Sequence, residues 1–571
     1  MYFCKYFSDQ TNISVKLLVY SILTGLALGL AFPPMPFWFL AFFAFFPVLI
    51  ALEDAKSKKS VFSILYLTFF VYHGSTNWWI SSWQHNTDPY LFAAGIAVWI
   101  VHPLFLMVPF IFYVLLKNKF GSERAISLFP FIWTGFEWLH SLGELSYPWL
   151  SIGYTQLTNI FWVQFADLGG VWGVSLLIAF ANSLVFRFFI QSKNFSDISF
   201  KKILTNPKLR APVIGFLCCL LLPYAYGFIK FRQFDYQKLL NNNPKTSISV
   251  VQPNINPWEK WEDVRSQGIK GQLNLHLSLL DSLHKKKAKE KLTVWCETAM
   301  PDLLYEPRNI QELATILKFV DSNSISVLTG FADIQRFSTK GAASATAKES
   351  FGTYFETFNS AVVLSPQPYL QPQNIHRKMR LTPFAERLPY ADYFSFAIDA
   401  LKWGVGISSW GIGKEQKLLT CYDSTGKSFT IGTIICIESI YPDFVRNYTT
   451  PHSDNNISAN VLVVITNDAW YDFTPGPRQH FYISQMRAIE NRRVVVRSAN
   501  TGVSGFISPL GQSISELPQY TRSAGSETIP LMAQSTVFIM LGDWVPQLSL
   551  LVSLFFIIWF TLRKQKSLPV S

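Results

Sequence analysis

The chain has 571 residues, of which 49% are hydrophobic and 16% aromatic, with 50 Phe and 18 Trp, but only 15% are charged; average soluble proteins carry roughly 25%. That deficit makes lipid the solvent for part of the chain and excludes a string of water-exposed domains. The formal net charge of +12 falls largely in short loops between apolar runs, where it sets topology, and no basic recognition motif accompanies it, so no nucleic-acid partner is expected. Six cysteines are too sparse for a disulfide framework.

A helix needs about 20 mostly apolar residues to cross a hydrocarbon core. In chain order the runs that qualify are Val15–Phe32, Pro36–Leu52, Val61–Ile80, Leu91–Leu116, Ile126–His140, Val163–Phe189, Val213–Phe228 and Val545–Leu562, an expectation of about eight spans. The Pro33-Pro34-Met35-Pro36 corner separates the first two. Lys56, Lys58, Lys59, Lys117, Lys119, Arg124, Arg187, Lys193, Lys201, Lys202, Lys208, Arg210, Arg563, Lys564 and Lys566 fall on one side of these runs, and the alternate loops Ser81–Tyr90 and Ser141–Ile160 hold no Lys or Arg. The positive-inside rule then puts both termini in the cytoplasm and Ile229–Trp544 outside. Glu137, near the outer end of the fifth run, reads as an interfacial carboxylate reaching water beside Trp138, with a functional intramembrane carboxylate as the alternative. Trp78, Trp79, Trp83 and Trp149 read as an interfacial belt.

From Lys245 the texture changes to short β-rich runs alternating with amphipathic ones. Strands are expected at Ser247–Val251, Leu292–Cys296, Ser326–Thr329, Asn359–Leu364, Phe429–Ile435, Val461–Thr466, Val494–Ser498 and Gly505–Ser508, and helices at Asp263–Leu283, Ile310–Val320 and Gln479–Arg492. This alternation predicts an α/β domain with helices covering sheets. The last helix places Ile483, Met486, Arg487 and Glu490 on one side.

Four segments of this domain carry groups capable of chemistry. In Val294-Trp295-Cys296-Glu297 an apolar strand ends in a carboxylate; period two puts Trp295 with Glu297 and leaves Cys296 a packed thiol. His376-Arg377-Lys378, followed by Glu386 in a Pro-containing loop, reads alone as a solvated surface loop. Cys436, after the apolar run ending at Ile435 and before Glu438, is either a core cysteine or a nucleophile exposed on a sharp turn. Asn467-Asp468-Ala469-Trp470-Tyr471, followed by Pro477-Arg478-Gln479-His480, reads alone as a turn and helix cap. No segment has the spacing of a zinc site, a P-loop or a dinucleotide-binding turn, so neither metal nor cofactor is expected.

Taken together, in order and spacing, these segments resemble the carbon–nitrogen hydrolase (nitrilase) superfamily. Combined with the apolar runs they are similar to the apolipoprotein N-acyltransferases of Gram-negative bacteria. The resemblance extends to Glu137-Trp138-Leu139, Tyr147-Pro148-Trp149-Leu150, Gly170-Val171-Trp172-Gly173-Val174, Val251-Gln252-Pro253-Asn254, Lys260-Trp261 and Asn467-Asp468-Ala469-Trp470. It implies a polytopic helical membrane domain joined to an extramembrane αββα sandwich: residues 1–228 as the membrane domain, 229–544 as a periplasmic catalytic domain, and 545–571 as a C-terminal span and cytoplasmic tail. Carried over residue by residue, it implies Glu297 as general base, Lys378 as the triad lysine and Cys436 as nucleophile. Glu386 matches a second glutamate beside the lysine, Glu438 a glutamate two residues beyond the cysteine, Trp261 a tryptophan on an arm over the site, and Asn359 an asparagine that helps position it. The implied reaction moves a fatty acyl chain from a phospholipid, through a cysteine thioester, to the N-terminal amine of a diacylated apolipoprotein, in the inner membrane, by a monomer. Where such sequences often have Pro before the base and an aromatic after the nucleophile, this chain has Cys296 and Ile437; where they have Val-Pro-Phe-Gly-Glu it has Thr-Pro-Phe-Ala-Glu, ending at Glu386. These departures bear on pocket shape more than on chemistry. The same triad on a membrane-tethered amidase for small soluble amides is the alternative.

Overall fold

The computed structural model describes residues 15–83, 87, 89–192, 199–260, 268–284, 290–344, 346–371, 374–393, 410–423, 426–451 and 457–566. Trp261 and the start of the helix expected from Asp263 lie outside them.

Among the described residues, four helical stretches are long and apolar enough to cross a membrane by length and composition: Leu91–Phe120, Trp162–Ser192, Pro207–Gln233 and, from the chain's end, Trp544–Arg563. The other expected runs form shorter or interrupted helices. Val15–Ala31 is apolar but shorter, and the helices Lys58–Thr76 and Ser122–His140 carry polar ends within their 19 residues. Pro36–Leu52 is not one helix: a 3₁₀ turn, Trp38–Phe42, precedes a helix over Phe46–Asp54. Aromatic crowding and the proline corner break it, and side chains of other helices satisfy its backbone. Asn182 Oδ1 accepts from Phe45 N at 2.8 Å, Asn182 Nδ2 donates to Ala41 O at 2.7 Å, and Thr24 Oγ1 accepts from Val48 N at 3.0 Å. Irregular backbone at membrane depth survives only with such partners. Outward faces are apolar, with Leu23, Leu26, Leu30, Leu217, Leu221, Leu222, Leu551, Leu554 and Phe555 exposed, a surface suited to lipid rather than water. This is a membrane protein.

The remaining chain, among the described residues, builds two sheets. The strands are β1 (Lys245–Gln252), β2 (Leu292–Val294), β3 (Met300–Leu303), β4 (Ser326–Phe337), β5 (Lys348–Ser350), β6 (Thr353–Leu364), β7 (Ile375–Arg377), β8 (Leu418–Tyr422), β9 (Ser428–Ile435), β10 (Val461–Thr466), β11 (Val495–Ala499), β12 (Gly505–Ile507), β13 (Ser513–Glu516) and β14 (Ser523–Pro530). One sheet runs β14-β1-β2-β4-β6-β5, with β3 on β4 and β7 on β6; the other runs β13-β12-β11-β10-β9-β8. Each has a parallel centre, β1-β2-β4 and β9-β10-β11, flanked by antiparallel strands. Strands buried on both faces read as continuous apolar runs, as Val461–Thr466 does.

Period two sorts these runs into layers. Val461, Val463 and Ile465 join Ile248, Val250, Val294, Leu328 and Val363 in the core between the sheets. Leu462 and Val464 face the other way, toward Phe481, Met486 and Ile489 of the helix Gly476–Asn491. The opposite outer face, with Val251, Val327 and Val362, is covered by Leu273 and Leu280 of the helix Lys270–His284 and by Ile316 and Val320 of the helix Ile310–Asn323. The result is an αββα sandwich.

One helical layer of the sandwich is also its seat on the membrane helices, because Phe481, Met486 and Ile489 share a single apolar cluster with Phe45, Trp133 and Val171. The helix Gly476–Asn491 is therefore buried almost all round, not along the single side expected from Ile483, Met486, Arg487 and Glu490. Arg487 and Glu490 form a buried ion pair at 3.1 Å, Glu490 Oε1 accepts from Val171 N at 2.7 Å, and Arg492 meets Asp167 at 2.9 Å. Glu137 is buried, not snorkelling: its Oε1 accepts from Ile152 N at 2.8 Å and so ties the end of its helix to the following loop. Trp79 and Trp149 are likewise buried, against Gln479 of the sandwich, whereas Trp83 is exposed as expected of a belt residue.

Candidate active site

Three loops at the strand ends converge. Glu297 follows β2, which stops at Val294, two residues short of expectation. Trp295 and Cys296 then both pack on the outer core with the helix Lys270–His284, so the expected alternation ends where the strand does. Cys296 is buried, and that burial pushes its thiol up to about 11. The Glu297 segment lies against Gly330 of β4, where any Cβ would stand 2.5 Å from Thr298 N; only glycine leaves it room.

Lys378 follows β7, which pairs antiparallel with β6, and its backbone N donates to Asn359 O at 2.8 Å. The sheet thereby sets Lys378 and Asn359 side by side. Lys378 Nζ donates to Glu297 Oε1 at 3.0 Å and to Glu386 Oε1 at 2.8 Å, while Asn359 Nδ2 reaches the same two oxygens at 2.7 and 3.2 Å. Asn467 N donates to Glu297 Oε2 at 2.9 Å, and Thr382 N to Glu386 Oε2 at 2.8 Å. Lys378 is 1% exposed. Burial alone would lower its ammonium, but Glu297 and Glu386 outweigh it and hold Lys378 protonated well above the usual lysine range. Burial alone would raise Glu386; Lys378 instead holds it below the usual carboxylate range.

Cys436 closes the group. Strand β9 ends at Ile435, and Cys436 takes a left-handed backbone with φ +53°, a conformation that costs a non-glycine residue energy and is common where a nucleophile is presented. A 3₁₀ turn, Cys436–Ile440, follows. The half-buried thiol is pushed well up by burial and by Glu297, with Lys378 and Thr466 pulling the other way. It rests as a thiol and needs a base at the moment of attack, the role Glu297 is placed to fill. Read alone, His376–Glu386 was a solvated loop; instead His376 is fully buried and Lys378 nearly so.

Glu438 ties the Cys436 turn to the Lys378 loop. Its Oε2 accepts from Ile435 N at 2.8 Å, and its Oε1 accepts from Met379 N at 2.6 Å and Arg380 N at 3.3 Å. A glutamine can present only one acceptor oxygen there. Glu438→Gln is expected to cost about 2 kcal/mol of stability through lost charge-assisted bonds and to lower kcat, while Cys436 still takes label. Thermal unfolding and single-turnover labelling read the two effects.

The sequence gives Asp468 and His480 no part beyond a turn and cap, yet both lie against the Cys436 turn. Asp468 Oδ2 accepts from Arg497 Nη2 at 2.7 Å, and Oδ1 from His480 Nδ1 at 2.9 Å. Burial alone would raise Asp468, but Arg497 and His480 outweigh it and hold its carboxyl at about 2, below the ordinary 3.8. With the folded value depressed, the stabilisation, about 2 kcal/mol, is fully present above about pH 4 and is lost as pH falls through about 2. Asp468→Asn should flatten that acid limb in urea unfolding followed across pH. Trp261 lies outside the described residues; before it, Lys260 Nζ donates to Thr298 Oγ1 at 2.9 Å and Trp258 packs edge-on to Trp470.

A four-layered αββα sandwich of two sheets with a Glu–Lys–Cys group at the strand ends defines a carbon–nitrogen hydrolase domain, and residues 247–533 match the family model described as carbon-nitrogen hydrolase. Residues 24–184 match the model described as apolipoprotein N-acyltransferase N-terminal domain. The chain belongs to the apolipoprotein N-acyltransferase family. It is 32% identical to the apolipoprotein N-acyltransferase of Chlorobaculum tepidum over 93% of each chain. It is 28% identical to that of Geobacter metallireducens over 92% of this chain and 91% of the relative. Among solved structures, a carbon–nitrogen hydrolase from Helicobacter pylori aligns at 14% identity and TM-score 0.35, covering 52% of this chain and 94% of that one.

Proposed function

We propose that the protein transfers a fatty acyl chain from a phospholipid to the α-amine of the diacylglyceryl-cysteine at the N-terminus of an apolipoprotein, through a thioester on Cys436. The observation that carries this reading is the position of the triad. The turn that presents Cys436 rests directly on the membrane-embedded part: Ser146 Oγ and Tyr441 OH are 3.0 Å apart, and Tyr154 OH donates to Ile440 O at 3.3 Å.

Glu297 takes the thiol proton as sulfur attacks the ester carbonyl. Negative charge gathers on the carbonyl oxygen, and Lys378 Nζ donates to it, a contribution of about 3–4 kcal/mol. Collapse of the tetrahedral intermediate breaks the ester bond, Glu297 returns the proton to the leaving glyceryl oxygen, and lysophospholipid departs. In the second half the amine attacks the thioester, Glu297 accepts its proton, and the Cys436 sulfur leaves and recovers the proton. Glu386 and Asn359 fix Glu297 and Lys378 relative to one another; Glu438 joins their loop to the nucleophile turn. A site sheltered against apolar helices favours amine over water as the second acceptor. The chain acts as a monomer in the bacterial inner membrane, with both termini cytoplasmic and residues 229–544 periplasmic, an arrangement supported by the distribution of Lys and Arg among the loops.

The test is incubation of the purified protein with a phospholipid labelled in its acyl chain. A hydroxylamine-sensitive adduct located to Cys436 by mass, and chased onto a diacylated lipopeptide, supports the reading. Folded protein that takes no label, yet hydrolyses small soluble amides, would replace it with a membrane-tethered amidase.

A further inference from the structure

A second group of buried polar side chains reaches the nucleophile through its backbone. His480, on the helix Gly476–Asn491, is 3% exposed. Its Nδ1 lies 2.9 Å from Asp468 Oδ1, and its Nε2 lies 2.7 Å from Ser439 Oγ and 3.2 Å from the carbonyl oxygen of Cys436. Ser439 Oγ donates to the same carbonyl at 2.9 Å. Asp468 is an ionised acceptor, so the ring proton sits on Nδ1, Nε2 accepts, and the single Ser439 proton is shared in a three-centre bond between Nε2 and the Cys436 carbonyl. Asp468 is itself gripped by Arg497 and Thr466, and a Cβ at Gly502 would stand 2.4 Å from its Oδ2, so the carboxylate has no room to swing. Asp, His and Ser in this order elsewhere activate a serine nucleophile. Here Ser439 is fully buried and closed to substrate, so among the described residues the reactive side chain the group bears on is Cys436, whose left-handed backbone it clamps.

The same histidine is held from the membrane side. The Trp149 ring lies 5.4 Å from the His480 ring. On the neighbouring residue, Gln479 Oε1 accepts from Trp149 Nε1 at 3.0 Å and Trp79 Nε1 at 3.2 Å, and Gln479 Nε2 donates to Thr76 O at 3.1 Å.

We propose that His480 is a positioning residue that carries the docking of the membrane-embedded part to the Cys436 thiol, so that the thiol is aimed at Glu297 only when Trp149 and Trp79 are seated. This rests on Cys436 being the reactive thiol, and it is tested by a reaction that needs no acyl donor.

In the full-length protein in detergent, the rate of Cys436 alkylation by iodoacetamide is followed by peptide mass, beside kcat and KM for acyl transfer. His480→Ala should slow alkylation and kcat about 100-fold, as a misaimed reacting group does, with KM within about threefold of wild type. His480→Gln, whose amide oxygen can reach the position of Nε2, should recover about tenfold of that loss. Trp149→Phe, which keeps a ring but removes the Nε1 donor, should slow alkylation about tenfold. Wild-type alkylation in His480→Ala overturns the proposal, and wild-type alkylation in Trp149→Phe overturns the link to the membrane side. Should His480→Ala not fold, Ser439→Ala decides: slowed alkylation supports the clamp, and an unchanged rate overturns it. Wild-type protein that alkylates at Cys436 but takes no acyl label would refute the acyl-transfer reading and leave the clamp standing.

Discussion

Cys436→Ala is expected to remove acyl transfer to the limit of detection, a loss on the order of 10⁶-fold, without unfolding the protein. The size of the effect follows from the division of labour in the site. Glu297 and Lys378 can polarise an ester, but neither supplies a nucleophile, and both are locked against each other at 3.0 Å. Alanine accepts the φ of +53° at the same cost as cysteine, and it removes only a sulfur from a half-buried position, so the melting temperature should stay near that of wild type. Cys436→Ser should be almost as damaging. A hydroxyl is a far weaker acid than a thiol already pushed up by burial, and Glu297 would have to deprotonate it in the same setting. Two readings separate the possibilities: hydroxylamine-released acyl label and the rate of lipopeptide acylation. Acylation surviving in folded Cys436→Ala would remove the thioester from the mechanism.

The residues that meet at the candidate site were singled out in the sequence by the family resemblance, and local pattern accounts for only part of why they meet. Cys436 and Glu297 each follow an apolar run that becomes a parallel strand, and parallel strands end on the same edge of their sheet; Lys378 follows the polar β7, antiparallel to β6, and only the resemblance singled it out. What sequence could not give was everything decided by packing between distant segments. The edge strands β5, β13 and β14 carry no apolar run to announce them, because they bury little side-chain surface, and Ser523–Pro530 in particular is polar along most of its length. Trp79 and Trp149 looked like interfacial anchors because nothing in their neighbourhood announces Gln479, some 330 residues beyond Trp149, as their partner. Glu137 looked solvated because its acceptor role toward Ile152 N depends on how the loop after its helix folds back. Asp468 and His480 were visible as residues but not as a pair acting on Cys436: two turns of different secondary elements bring them together, and no spacing rule covers that. The broken segment at Trp38–Asp54 taught the converse, since apolar length alone made it a span although Asn182 and Thr24 had made a non-helical path affordable.

Lys378→Met should damage both rate and fold, and the direction of its pH dependence makes the cause identifiable. In the wild type one ammonium serves two carboxylates, Glu297 at 3.0 Å and Glu386 at 2.8 Å. Because the folded value of Lys378 is raised, its contribution to stability is complete below about pH 10 and is lost as pH rises through that folded value. Because the folded value of Glu386 is depressed, its contribution is complete above about pH 4 and is lost as pH falls through that lower value. Methionine matches the length of the stem but leaves two buried carboxylates facing each other with only Asn359 Nδ2 between them. Leaving a buried charge unpaired costs about 3–5 kcal/mol, so the urea midpoint at pH 7.5 should fall steeply. A proton shared by the pair relieves the repulsion, so the variant should gain stability as pH drops toward 5, where the wild type stays level. Its kcat should fall by about 10²–10³-fold from the lost donor to the oxyanion, and further where the shared proton occupies Glu297 and blocks its use as base. Lys378→Arg separates the two effects: the charge restores the urea midpoint, but a planar guanidinium does not sit where a compact ammonium does, and the rate stays low. Equal loss of stability in the Met and Arg variants would mean that shape, not charge, holds the two carboxylates together.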